Sequence, residues 1–83
     1  MSLARIEVIR EIVDRKCKEM NLSYRALANK SGIKNHSQIS RILGGDTTPT
    51  QNILTKLCEG LECTDEEMVA IFHAAGYLAP GET

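Results

Sequence analysis

No stretch of this sequence approaches the roughly 18 consecutive apolar residues of a membrane-spanning helix, and no secretory-leader pattern opens it. A cytoplasmic protein with no membrane partner is the expectation. Cysteine is scarce, odd in number and widely spaced, at Cys17, Cys58 and Cys63, which argues against a disulfide framework and fits reduced thiols. Histidine is scarcer still: His36 and His73 have no acid at a catalytically meaningful spacing, and there is no phosphate-binding loop. An enzyme is not expected, nor a cofactor or small-molecule ligand. Cys58, Cys63 and His73 invite a metal reading, but the spacing is not that of a zinc finger and a fourth ligand is missing. Cys17 and Cys58 fall on apolar stripes, so buried small side chains and no metal are expected. Internal repeats and strand patterns are absent too.

What is present suits one small all-α domain spanning residues 1–83. The 83 residues are 42% hydrophobic and 25% charged, a balance typical of a folded globule. From about Leu3 to Met20, Ile6, Ile9, Val13, Cys17 and Met20 recur at spacings of three and four, the mark of an amphipathic helix. Asn21-Leu22 breaks it. Ser23 caps a second helix, Tyr24 to Ser31, with Leu27 and Ala28 inward and Gly32 at its end. A short third helix follows Asn35. Thr50 caps a fourth after the loop Gly44 to Pro49, with Ile53, Leu54, Leu57, Cys58 and Leu61 on one stripe. Thr64 and Glu67 form a capping box for a fifth, which Gly76 ends. The tail from Pro80 is expected to fray.

The third helix, Asn35 to Leu43, organises the rest. Asn35 is a good N-cap, and Gln38 stands where it can reach back to complete a capping box. Ile39, Ile42 and Leu43 make the inner stripe, while Ser37, Arg41 and Gly44 fall opposite, flanked by Ser40 and Gly45. That outer face is small, polar and singly positive, which suits close approach to DNA or plain solvation. Charge distribution favours DNA. Residues 15–45 carry a balance of +6 and residues 46–83 a balance of −6, inside a net charge of −1. A locally basic face steers a polyanion whatever the total.

The run Leu22-Ser23-Tyr24-Arg25-Ala26-Leu27-Ala28-Asn29-Lys30-Ser31-Gly32-Ile33, followed by Ser37-Gln38-Ile39-Ser40-Arg41-Ile42, resembles the lambda-repressor-like, Cro-type helix-turn-helix family. Pro49, Leu57, Leu61, Thr64 and Ala75-Gly76-Tyr77-Leu78 extend the resemblance to about residues 5–78. It implies a compact five-helix fold whose second and third helices form the helix-turn-helix, the third entering a major groove about 12 Å wide. The sequence departs from the family pattern at three places. Gly32 to Ile39 spans seven residues where six is usual, so the turn at Lys34-Asn35 holds one more. Tyr24 stands where a phosphate-contacting Gln is common. Glu62 replaces a helix-ending Gly, which forecasts a left-handed residue strained by about 1 kcal/mol or more.

Anchored on Ile39, the resemblance assigns base contacts to His36, Ser37 and Arg41, with Arg41 suited to guanine. His36 can instead bond a phosphate or be a solvated first-turn residue. Gln38 is assigned either a base contact or the helix cap. Phosphate contacts fall to Tyr24, Arg25, Lys34, Thr48, Thr50 and Gln51. Lys16 and Lys30 are expected to be solvated. One helix-turn-helix reads few base pairs, so a homodimer is expected, with Met68, Phe72, Tyr77 and Leu78 at its interface or else completing the monomer's core. The leading expectation is a sequence-specific regulator of transcription on double-stranded DNA, a repressor of prophage type. The alternative is a protein-interaction module, such as an antitoxin-like inhibitor that keeps the fold and uses its acidic third.

Overall fold

Five helices run in chain order, α1 (Ile6–Met20), α2 (Tyr24–Ser31), α3 (His36–Leu43), α4 (Gln51–Leu61) and α5 (Asp65–Ala74), and all five finish in the same backbone motif. The computed structural model describes residues 5–79 and 81. Asn21, Gly32, Gly45, Glu62 and Gly76 each take a left-handed backbone. The next N–H then reaches back five residues: Leu22 to the Cys17 carbonyl, Ile33 to Ala28, Asp46 to Arg41, Cys63 to Cys58 and Tyr77 to Phe72, at 2.8–3.0 Å. Leu22, Ile33, Cys63 and Tyr77 pack on the core directly after their turns, so each stop also folds the chain back inward. Of the two glycines after α3, Gly44 stays right-handed and Gly45 makes the turn.

Glu62 adopts the left-handed backbone forecast for it, at φ 54°. Its carboxylate meets Lys30 Nζ at 2.6 Å, joining the end of α4 to α2 and holding the carboxyl below its usual range.

The helix starts follow the capping residues. Ser23 accepts from Ala26 N, Thr50 from Ile53 N and Thr64 from Glu67 N. At α5 the box is complete, because Glu67 accepts from Thr64 N at 2.9 Å. At α3 it is not. Asn35 accepts from Ser37 N, and Gln38 uses only its backbone N–H, toward the Asn35 carbonyl. The Gln38 side chain does not reach back to the Asn35 N–H, so the Asn35 oxygen, shared by the N–H and the hydroxyl of Ser37, is the whole of the side-chain cap. The first helix begins at Ile6; the start expected at about Leu3 lies outside the described residues, as do Pro80, Glu82 and Thr83 of the tail. Arg5 starts α1 without a side-chain cap; its N–H donates instead to the Ala74 carbonyl at 2.6 Å, pinning α1 to the end of α5.

Ile9, Val13, Leu27, Ile39, Leu54 and Leu61 are wholly excluded from solvent and draw α1, α2, α3 and α4 into one core, each worth about 1.5–3 kcal/mol of burial. Ile71 and Phe72 bring in α5. The α2 and α4 helices lie so close that a Cβ on Gly60 would collide with Ser31. Helix α3 rests mainly on α2 and α1, which leaves its outward face open.

Candidate nucleic-acid interface

Burial of Ile39, Ile42 and Leu43 decides how α3 is turned. Ser37 and Arg41, one turn apart, face away from the core, with Gln38 and Ser40 exposed on either side. Asn35, Ser37, Gln38 and Arg41 form one wall of a shallow concavity of about 270 Å³, and Thr47, Thr48 and Thr50 form the other. The fold thus brings together five residues singled out from the sequence: Ser37, Gln38, Arg41, Thr48 and Thr50. His36, Arg25, Lys34 and Gln51 are exposed but lie outside this hollow, and Gln51 belongs to a groove on the other side of α4 with Thr55, Tyr77 and Leu78.

The basic segment divides in two when it folds. Glu67 takes both Lys16, at 2.9 Å, and Arg15, at 3.1 Å, while Glu62 takes Lys30. Lys16 and Lys30, expected to be solvated, are thus bound to carboxylates of the acidic third. The backbone N–H of Thr64, then Lys16 and Arg15, hold the Glu67 carboxyl down to about 2. Among the described residues no carboxylate pairs with Arg25, Lys34 or Arg41. The cations left unpaired include those of the turn and of the outward face of α3.

Tyr24 is differently placed from its expected role. It is half-buried, and its hydroxyl donates to Asp14 at 2.7 Å; burial first, then that bond, pushes it up to about 12. Its only proton is committed to α1, so it cannot also be given to a phosphate. Arg10 was missed in the sequence. Its Nε donates to the Leu43 carbonyl at 3.0 Å, tying the end of α3 to α1. Nothing in a solvated Arg on an amphipathic helix signals such a bond, since it depends on how α1 and α3 cross.

A helix-turn-helix family model matches residues 14–68, from the middle of α1 to the first turn of α5. The chain belongs to the lambda-repressor-like helix-turn-helix family. No curated protein and no solved structure matches it. Helices α2 and α3 are the helix-turn-helix, and the family is one of DNA-binding regulators. The turn of this helix-turn-helix runs from Gly32 to Asn35, and the extra residue is absorbed there while Ile33 and Ile39 both remain buried.

Two further expectations meet the structure here. Cys17 and Cys58 are buried and Cys63 is half-buried, all as free thiols, and among the described residues no group of three or more His, Cys, Asp or Glu is arranged to hold a metal. For the dimer residues the structure makes a correction. Phe72 is 2% exposed and belongs to the core of its own chain, because α5 turns that face onto α1 and α4. Tyr77 is half-buried and its hydroxyl donates to the Pro49 carbonyl, whereas Leu78 is 60% exposed and Met68 partly so. No described helix is long and apolar enough to cross a membrane.

Proposed function

We propose that this helix-turn-helix protein is a sequence-specific transcriptional repressor of prophage type that binds double-stranded DNA as a symmetric homodimer in the cytoplasm. The observation that carries the reading is the state of Arg41. It stands exposed on the outward face of α3 with no carboxylate bound to it, although the same fold binds Arg15, Lys16 and Lys30 to acids. A guanidinium kept free on the second helix of a helix-turn-helix suits a guanine edge. Ser37 and Gln38 flank it toward neighbouring bases, and His36 stands at the helix tip for a base or a phosphate. Arg25, Lys34, Thr48, Thr50 and Gln51 grip the backbone, the last two through the first turn of α4. Leu78, with Met68 and Tyr77 beside the core, supplies the apolar contact with a second copy, which doubles the sequence read.

Selection of duplexes from a random pool tests this, followed by anisotropy titration of the winner at several salt concentrations. An enriched inverted repeat is expected. Arg41→Ala should weaken its binding about 5–150-fold, the range of one bidentate base contact, and relax one position of the repeat. Arg25→Ala should weaken binding to all sequences alike and lower the salt slope by about one. Weak salt-sensitive binding with no enriched motif would overturn the proposal and favour the protein-interaction module.

A further inference from the structure

The cap of α3 constrains what its neighbour can recognise. The backbone N–H of Ser37 can only donate, so the Asn35 atom 3.0 Å from it is the side-chain oxygen and not the amide nitrogen. That same oxygen lies 2.7 Å from Ser37 Oγ. An amide oxygen has no proton to give, so the Ser37 hydroxyl donates its own to Asn35. What Ser37 presents outward, into the concavity shared with Arg41, is a pair of lone pairs. From this geometry we infer that Asn35 makes Ser37 an acceptor-only reader, which selects adenine or cytosine at the base it faces.

The chemistry of DNA leaves little choice of partner. Phosphate and sugar oxygens accept only, so a hydroxyl with its proton committed cannot bond them. In the major groove guanine offers O6 and N7 and thymine O4, all acceptors, which face the Ser37 oxygen lone pair to lone pair. Only the exocyclic amines, N6 of adenine and N4 of cytosine, donate. An unconstrained serine hydroxyl rotates to suit either kind of edge and discriminates poorly. The cap turns that indifferent reader into a selective one. Asn35 is thus a positioning residue for specificity, in addition to starting the helix. Arg41, one turn on, has the opposite polarity and takes guanine acceptors, so the two side chains read complementary edges.

The inference rests on the DNA-binding reading above, and the test separates the two. Duplex selection is run on the full chain and on Ser37→Ala, Asn35→Ala and Asn35→Asp, with thermal melting of each. The position that Ser37→Ala alters is the Ser37 column. In the parent protein it should favour adenine or cytosine by about tenfold, the worth of one hydrogen bond left unmade. Asn35→Ala frees the hydroxyl, so the preference should fall below about threefold while the Arg41 guanine persists. Asn35→Asp restores the acceptor and the cap and should restore the column, with lower affinity for all sequences from its added negative charge. Guanine or thymine in the Ser37 column overturns the inference. So does a column that Asn35→Ala leaves intact, or the absence of any column that responds to Ser37→Ala in an otherwise enriched motif. A pool with no motif at all overturns the regulator proposal and this inference with it.

Discussion

The N-termini of α3 and α5 are built from the same kind of sequence and end in different states. Each opens with a capping residue followed three positions later by a side chain able to reach back, Asn35 with Gln38 and Thr64 with Glu67. At α5 the box closes, and Lys16 and Arg15 from α1 brace its carboxylate. At α3 the box stays open, and the oxygen of Asn35 serves both the N–H and the hydroxyl of Ser37. A charged Glu under two cations has a strong reason to be held in place, while a neutral Gln with no such partner has little. One terminus is spent on stability. The other keeps its polar groups facing outward, as a surface that reads DNA requires.

Removing the brace is the largest perturbation of this contrast. Glu67→Ala takes away half the capping box and both ion pairs, and thermal or urea unfolding should show a loss of about 2 kcal/mol. Glu67→Gln keeps the box and should lose only about half as much. Binding by the folded variants should be unchanged, since Glu67 lies away from the concavity.

The same brace gives an acid limb. The Glu67 carboxyl is lowered from 4.5 to about 2 on folding, so its charged form is the one that the fold stabilises. That contribution is complete above the unfolded value and is lost as pH falls from about 5 to about 2. Melting temperature measured across this window should decline, and Glu67→Gln should flatten the decline.

At α3 the effects on stability are smaller. Asn35→Ala should cost about 1 kcal/mol, the usual loss for an N-cap. Gln38→Ala should change stability by less than about 0.5 kcal/mol, because its side chain closes no box. A loss comparable to that of Glu67→Ala would mean that the box at α3 does close in solution.

Much of the architecture was legible residue by residue. The caps Ser23, Asn35, Thr50 and Thr64 each start a helix, and Glu62 is left-handed as its position forecast. Local rules suffice there, because a cap or a stop is made by neighbours along the chain. The basic segment was only half legible. Summed along the sequence it reads +6, but Arg15, Lys16 and Lys30 meet acids 52, 51 and 32 residues away, and no window of sequence contains those meetings. Phe72 illustrates the same limit, since an apolar residue on the last helix reads equally as core or as interface until α5 is seen to face α1.

By itself the sequence determined the five helices, their four side-chain-capped starts, their stops and the helix-turn-helix, because propensity, capping and periodicity act over spans of a few residues. It also determined that Ile39 would turn Ser37 and Arg41 outward. Tertiary structure alone decided which cations stay free, that Tyr24 gives its proton to Asp14, and that Arg10 ties the end of α3 to α1. Each depends on which helices cross and at what separation, and a hydrogen bond, charged or neutral, falls away within an ångström or so of its best distance.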